Sequence, residues 1–190
     1  MIRTITKGLL IAGTLLGLAT LAWWRTPVKS PPVQPEPEGR FPRVAGSNLD
    51  REDFELPRDF AGELNLVFIA FQQWQQASVD TWVPLAQQLE RDHPTLRYYE
   101  LPTIQSLPSF SRKFINEGMR AGIPDSTARE RTVTLYLDKA AFQQQLDIPD
   151  DKDVHVILVT RDGEILWRTT GDFSDEKRQQ LQAYISDRRS

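Results

Sequence analysis

The sequence predicts an α/β domain with helices flanking a central mixed sheet, and two stretches carry that prediction. In the first, ELNLVFIAFQQWQQASVDTWVPLAQQL, residues 64–71 form a nearly unbroken apolar run rich in Val, Ile and Phe. Such a run suits a strand covered on both faces, as in the middle of a parallel sheet. Val79, Trp82, Val83, Ala86 and Leu89 then recur at three- and four-residue intervals, the spacing of a helix buried along one face. In the second stretch, apolar strands over 154–160 and 164–169 flank Arg161-Asp162-Gly163. Asp-Gly there supplies the positive φ of a tight antiparallel hairpin turn.

The remaining elements follow from the same rules. Residues 8–24 are uncharged and Leu-rich, preceded by Arg3 and Lys7 and followed by Arg25. At about 1.5 Å per residue this run just crosses a hydrocarbon core ~30 Å thick, so residues 1–26 read as an N-terminal transmembrane anchor or a signal segment. Paired Trp23 and Trp24 suit an interfacial anchor, and the basic start places the following domain outside the cytoplasm. Gly13 and Gly17 form a G-x-x-x-G that would let two such helices approach closely, giving a homodimer. Residues 27–42, PVKSPPVQPEPEGRFP, are too proline-rich for a helix or a ladder and read as a semi-extended spacer. The folded domain is then 43–190.

Within it, 96–101 alternates as a second strand, and 106–119 supports a helix with Phe110, Phe114 and Met119 turned inward. Residues 132–137 are β-branched and aromatic, a third strand, and 138–146 reads as a short helix ended at Ile148-Pro149. Ser174 is the expected N-cap of a closing helix whose inner stripe is Leu181, Tyr184 and Ile185.

Charge and composition exclude several functions. The net charge is −3, but the five basic residues in 1–42 outweigh its two acids, so the remainder carries −6. An acidic domain has no phosphate-binding footprint, and no nucleic-acid partner is expected. The chain contains no cysteine, which rules out disulfides, thiolate catalysis and thiolate metal sites. His93 and His155 are the only imidazoles, and neither has a metal-ligand neighbour at helical spacing. Neither metal nor cofactor is therefore expected.

The strand, turn and buried helix of 63–89, with Trp74 at the strand end, resemble the first βα unit of thioredoxin-like proteins. There a Cys-x-x-Cys opens the helix, whose N-terminus stabilises a thiolate. Counting from Trp74, that place is taken by Gln75-Gln76-Ala77-Ser78; counting from Pro84, by Gln76-Ala77-Ser78-Val79. The resemblance also implies a cis-proline facing the thiols, and its place falls at His155 or Val154. Both halves of the redox site are absent. A narrower resemblance rests on Phe71-x-x-Trp74 with Trp82 beyond it, on YLDKAAF from Tyr136 to Phe142, and on DGEILWR from Asp162 to Arg168 ahead of Gly171. Over about residues 45–185 the chain is similar to the mitochondrial inner-membrane assembly factors for the Fo sector of ATP synthase and their bacterial relatives. That resemblance implies a membrane-tethered, redox-inactive assembly or binding factor with a protein client, ATP synthase by the same likeness.

The candidate partner-binding face is the turn that replaces the thiol motif: Trp74, Gln75, Gln76 and Ser78, facing Val154 and His155. Uncharged glutamines donate and accept hydrogen bonds and can hold an extended chain. No catalytic residue is assigned. The alternative is an enzyme with non-thiol chemistry at Ser78 and His155, which would need a base held by an orienting acid and an oxyanion hole.

Overall fold

A computed structural model describes residues 32–34 and 36–187. The expected membrane segment 8–24, with Gly13 and Gly17, lies outside the described residues. No helix among the described residues is long and apolar enough to cross a membrane.

In chain order the elements are β1 (Val44–Asn48), β2 (Asp53–Leu56), β3 (Leu64–Ala70), α1 (Gln76–Asp92), β4 (Leu96–Gln105), α2 (Ser109–Gly122), α3 (Ser126–Arg131), β5 (Val133–Leu137), α4 (Lys139–Gln145), β6 (His155–Thr160), β7 (Ile165–Thr170) and α5 (Asp175–Asp187). The strands form one mixed sheet in the order β2-β1-β5-β4-β3-β6-β7. β3 runs parallel to β4, with Leu64 opposite Leu96 and Ala70 opposite Pro102, and β4 is parallel to β5. β6 lies antiparallel to β3, with Ile69 opposite His155, and turns back into β7. Gly163 sits in that turn at φ +95°. A Cβ there would come within 2.8 Å of Pro57, so both conformation and space call for glycine.

β3 is buried on both faces, as its unbroken apolar run predicts. Val67 and Ile69 join Phe41, Phe60, Tyr99 and Phe142 in one core. Leu66 and Phe68 point the other way, into a second core with Trp82, Ala86, Leu89, Leu181 and Ile185. The buried stripe of α1 is Val79, Trp82, Leu85, Ala86 and Leu89. Leu85 replaces the expected Val83, which is only half-buried.

Several expectations are corrected. β1 and β2 form a hairpin where no strand is expected, VAGSN showing no alternation and DFEL only four residues of it. Its turn is fixed instead by Asn48, whose Oδ1 accepts from the backbone N–H groups of Asp50 (3.0 Å) and Glu52 (2.9 Å). The six-residue α3 was also not expected; Asp125 caps it, accepting from the Ala128 N–H at 2.7 Å. Phe110 and Phe114 do not turn inward: they are 83% and 77% exposed, and α2 buries no residue fully. It meets the sheet through polar groups, the Tyr136 hydroxyl donating to Asn116 Oδ1 at 2.7 Å. Tyr184 is exposed because the core contact of α5 is the narrower pair Leu181 and Ile185. The last residues of the proline-rich spacer belong to the fold: Phe41 is in the core, its N–H donates to the Gly163 carbonyl at 2.7 Å, and Gln34 bridges Arg43.

Candidate functional site

β3, β4 and β5 run parallel, so the turns leaving their C-terminal ends share one end of the sheet, and β6 begins there because it is antiparallel to β3. The topology therefore brings the turn after β3 beside the start of β6, where the sequence places its candidate residues.

That turn is a short 3-10 segment, Gln73–Gln75, running directly into α1. Its pivot is Gln75, which is 0% exposed. The side-chain Oε1 accepts from the Phe71 N–H at 2.7 Å and from the Gln72 N–H at 3.1 Å. Its Nε2 donates to the Asp151 carbonyl at 2.9 Å. Gln75, a candidate for the partner-binding face, is instead buried and satisfies backbone groups that would otherwise be without partners. Around it Asp151 Oδ2 accepts from Gln72 Nε2 at 2.7 Å and from Lys139 Nζ at 3.2 Å. Those bonds, Gln72 first and then Lys139, hold the Asp151 carboxyl below the usual carboxylate range. Lys139 Nζ also lies 5.4 Å from the centre of the Phe71 ring. The turn is thus tied to the start of α4 and to the loop before β6.

Trp74 stands on this braced turn with 63% of its surface exposed. Gln76 is exposed as well, and its Nε2 donates to Asp80 Oδ1 at 3.0 Å and to Glu100 Oε2 at 3.2 Å. Burial pushes the Glu100 carboxyl up from its ordinary range; the Gln76 hydrogen bond opposes that, and the Asp80 charge adds to it. Neither reading of the missing thiol motif leaves both ends open: Gln75 closes the first window and buried Val79 the second.

Val154 is fully buried in the α1-side core, so its side chain offers nothing to a partner. His155 is 9% exposed and packs edge-on against Phe71, with ring centres 6.1 Å apart. Its Nε2 is buried without a partner. Burial pushes the imidazole down from its ordinary value, with a hydrogen bond to the Asp150 backbone opposing. Ser78 is half-buried, and its carbonyl accepts from the Thr81 hydroxyl at 2.7 Å. Among the described residues no hydrogen bond joins Ser78 to His155, and no carboxylate orients the imidazole. No group of three or more potential metal ligands occurs among the described residues. The structure thus brings Trp74, Gln76 and Ser78 to the surface of one turn and places Gln75, Val154 and His155 beneath it. Asp151 and Lys139, which brace the turn, escape sequence reading because they come from distant parts of the chain, the loop before β6 and the start of α4.

No protein-family model and no curated protein matches the chain. Solved structures do. A Bacteroides thetaiotaomicron protein assigned as a disulfide isomerase superposes with a TM-score of 0.51 at 11% identity, over 82% of this chain and 91% of its own. BsSco, of the Sco family of cytochrome c oxidase assembly proteins, gives 0.50 at 14% identity, over 84% and 96%. The fold is thioredoxin-like. An Aquifex aeolicus protein assigned to electron transfer is similar at the same level, 0.50 and 9% identity over 74% and 89%. At these identities the likeness is one of fold, and this thioredoxin-like domain carries no cysteine.

Proposed function

We propose that this chain is a membrane-tethered, redox-inactive thioredoxin-like protein that uses the turn after β3 to bind a protein client during assembly of a membrane complex. The observation that carries this reading is the exposure of Trp74 on a turn held rigid by buried Gln75. A large aromatic costs apolar exposure to water, yet it anchors a partner at low conformational cost when its backbone is already fixed. Thiol exchange needs a thiolate to attack and a second sulfur to leave, and the chain has neither. BsSco supplies a parallel by name, as a protein of this fold in cytochrome c oxidase assembly. The resemblance to Fo assembly factors points to ATP synthase as the client. The Leu-rich run 8–24 is the proposed tether, with the C-terminal domain outside the cytoplasm.

Affinity purification of the full chain from membranes tests this. Trp74→Ala is expected to reduce client recovery at least about tenfold, the loss of roughly 1.4 kcal/mol or more for an interface anchor. Ser78→Ala is expected to leave recovery unchanged. Loss of the cellular function on Ser78→Ala with Trp74→Ala silent would contradict binding and favour chemistry at Ser78 and His155.

A further inference from the structure

α2 is an inverted amphipathic helix. Its outward positions are Phe110, Lys113, Phe114, Gly118 and Ala121, all exposed at three- and four-residue intervals, while polar Asn116 turns toward the sheet and meets Tyr136. Phe110 and Phe114, 83% and 77% exposed, form an apolar pair one turn apart. The helix carries Arg112, Lys113 and Arg120 against one acid, Glu117, which is paired with Arg51 at 2.8 Å. Arg112 lies 5.8 Å over the Tyr136 ring and Arg120 donates to the Leu49 carbonyl at 2.9 Å, so Lys113 is the helix cation beside the two phenylalanines on the outer face. An aromatic outer stripe with Lys113 beside it thus stands on a domain that is acidic as a whole.

We propose that this face of α2 lies on the surface of an anionic lipid bilayer. The chemistry is that of an interfacial helix: Phe110 and Phe114 reach the acyl boundary while the Lys113 ammonium stays at the headgroups. Charge argues against a second copy, which would bring Lys113 toward its like on the partner helix. The chain's own path supports the orientation, and this part rests on the tethered reading above. Pro32 and Ala45 line one groove of about 700 Å³, and Ala45 with Ser109 and Arg112 lines another of about 420 Å³, so the incoming chain and α2 flank the same strand, β1. From Trp24 to Pro32 the backbone reaches at most about 28 Å, and α2 is about 21 Å long. A tether that short keeps α2 within reach of the bilayer. The first turn of α2 and the Trp74 turn leave the same end of the sheet, so seating α2 on lipid presents Trp74 close to where membrane-embedded segments emerge.

Because the chain contains no cysteine, a single introduced one reports a single place. The full chain carrying Gly118→Cys, labelled with an environment-sensitive fluorophore, is reconstituted into phosphatidylcholine vesicles containing phosphatidylglycerol. A Cβ at position 118 meets nothing within 4 Å, so the label is tolerated. Acyl-chain nitroxide lipids are expected to quench it several-fold more than a label at Ala183→Cys on exposed α5. The difference should shrink in phosphatidylcholine alone and vanish when Phe110→Ser and Phe114→Ser are added. Flotation of the chain with vesicles without quenching at 118 overturns the inference while leaving the tether intact, and so does a signal that tracks protein density rather than nitroxide lipid. Failure to float at all contradicts the tether and takes the inference with it.

Discussion

Gln75 and Gln76 are neighbours of one chemical type with opposite fates. Successive residues at a helix start point roughly 100° apart, so one side chain turns into the sheet end and the other outward. Of the two glutamines on the candidate face, Gln76 lies outside with Gln72 and Gln73, and Gln75 serves as an internal brace between Phe71, Gln72 and Asp151. Gln75→Ala is therefore expected to leave two N–H groups and a carbonyl without partners and to cost about 1–3 kcal/mol. Urea unfolding of the variant should show a lowered midpoint with an unchanged slope. An unchanged midpoint would mean that water replaces the amide without loss. The sequence shows that a thiol motif is missing at 75–79 but not which of its replacements is buried, because that depends on Asp151 and Lys139 arriving from elsewhere in the chain.

At the scale of elements, legibility followed the strength of the local pattern. β3 and α1 could be read because six apolar residues out of seven and a five-residue stripe leave one plausible burial for each. The β1–β2 hairpin could not: VAGSN does not alternate, the alternation of DFEL spans four residues only, and side-chain bonds from Asn48 fix the turn. In α2 the expected inward stripe joined Phe110 and Phe114 to Met119, but Met119 is half-buried on another side of the helix and the two phenylalanines face outward. Period reports which residues share a face and not what that face meets. The contrast is measurable by thermal or urea unfolding. Phe110→Ser together with Phe114→Ser is expected to change stability by within about 0.5 kcal/mol, as for surface positions. Trp82→Ala, which empties a fully buried site and leaves the Gly171 carbonyl without its 2.9 Å donor, is expected to cost about 3–5 kcal/mol. Equal effects would mean that α2 is packed in solution.

At the scale of the whole molecule, a seven-stranded sheet with a core on each face holds the end of β3 rigid, and the proposed activity is concentrated where that rigid scaffold leaves an aromatic uncovered. The overall class was legible because it follows from burial on two faces and from the Asp162-Gly163 turn. The face itself was legible only as a location, since exposure of Trp74 and burial of Val154 and His155 are settled by tertiary contacts. The central claim is that Trp74 touches a client. It is tested most directly by replacing Trp74 with a photoreactive phenylalanine analogue in the full chain and illuminating intact membranes. The account predicts a discrete adduct with another protein at position 74 and none when the analogue replaces Ala183; equal adducts at both positions, or none at 74, would contradict it.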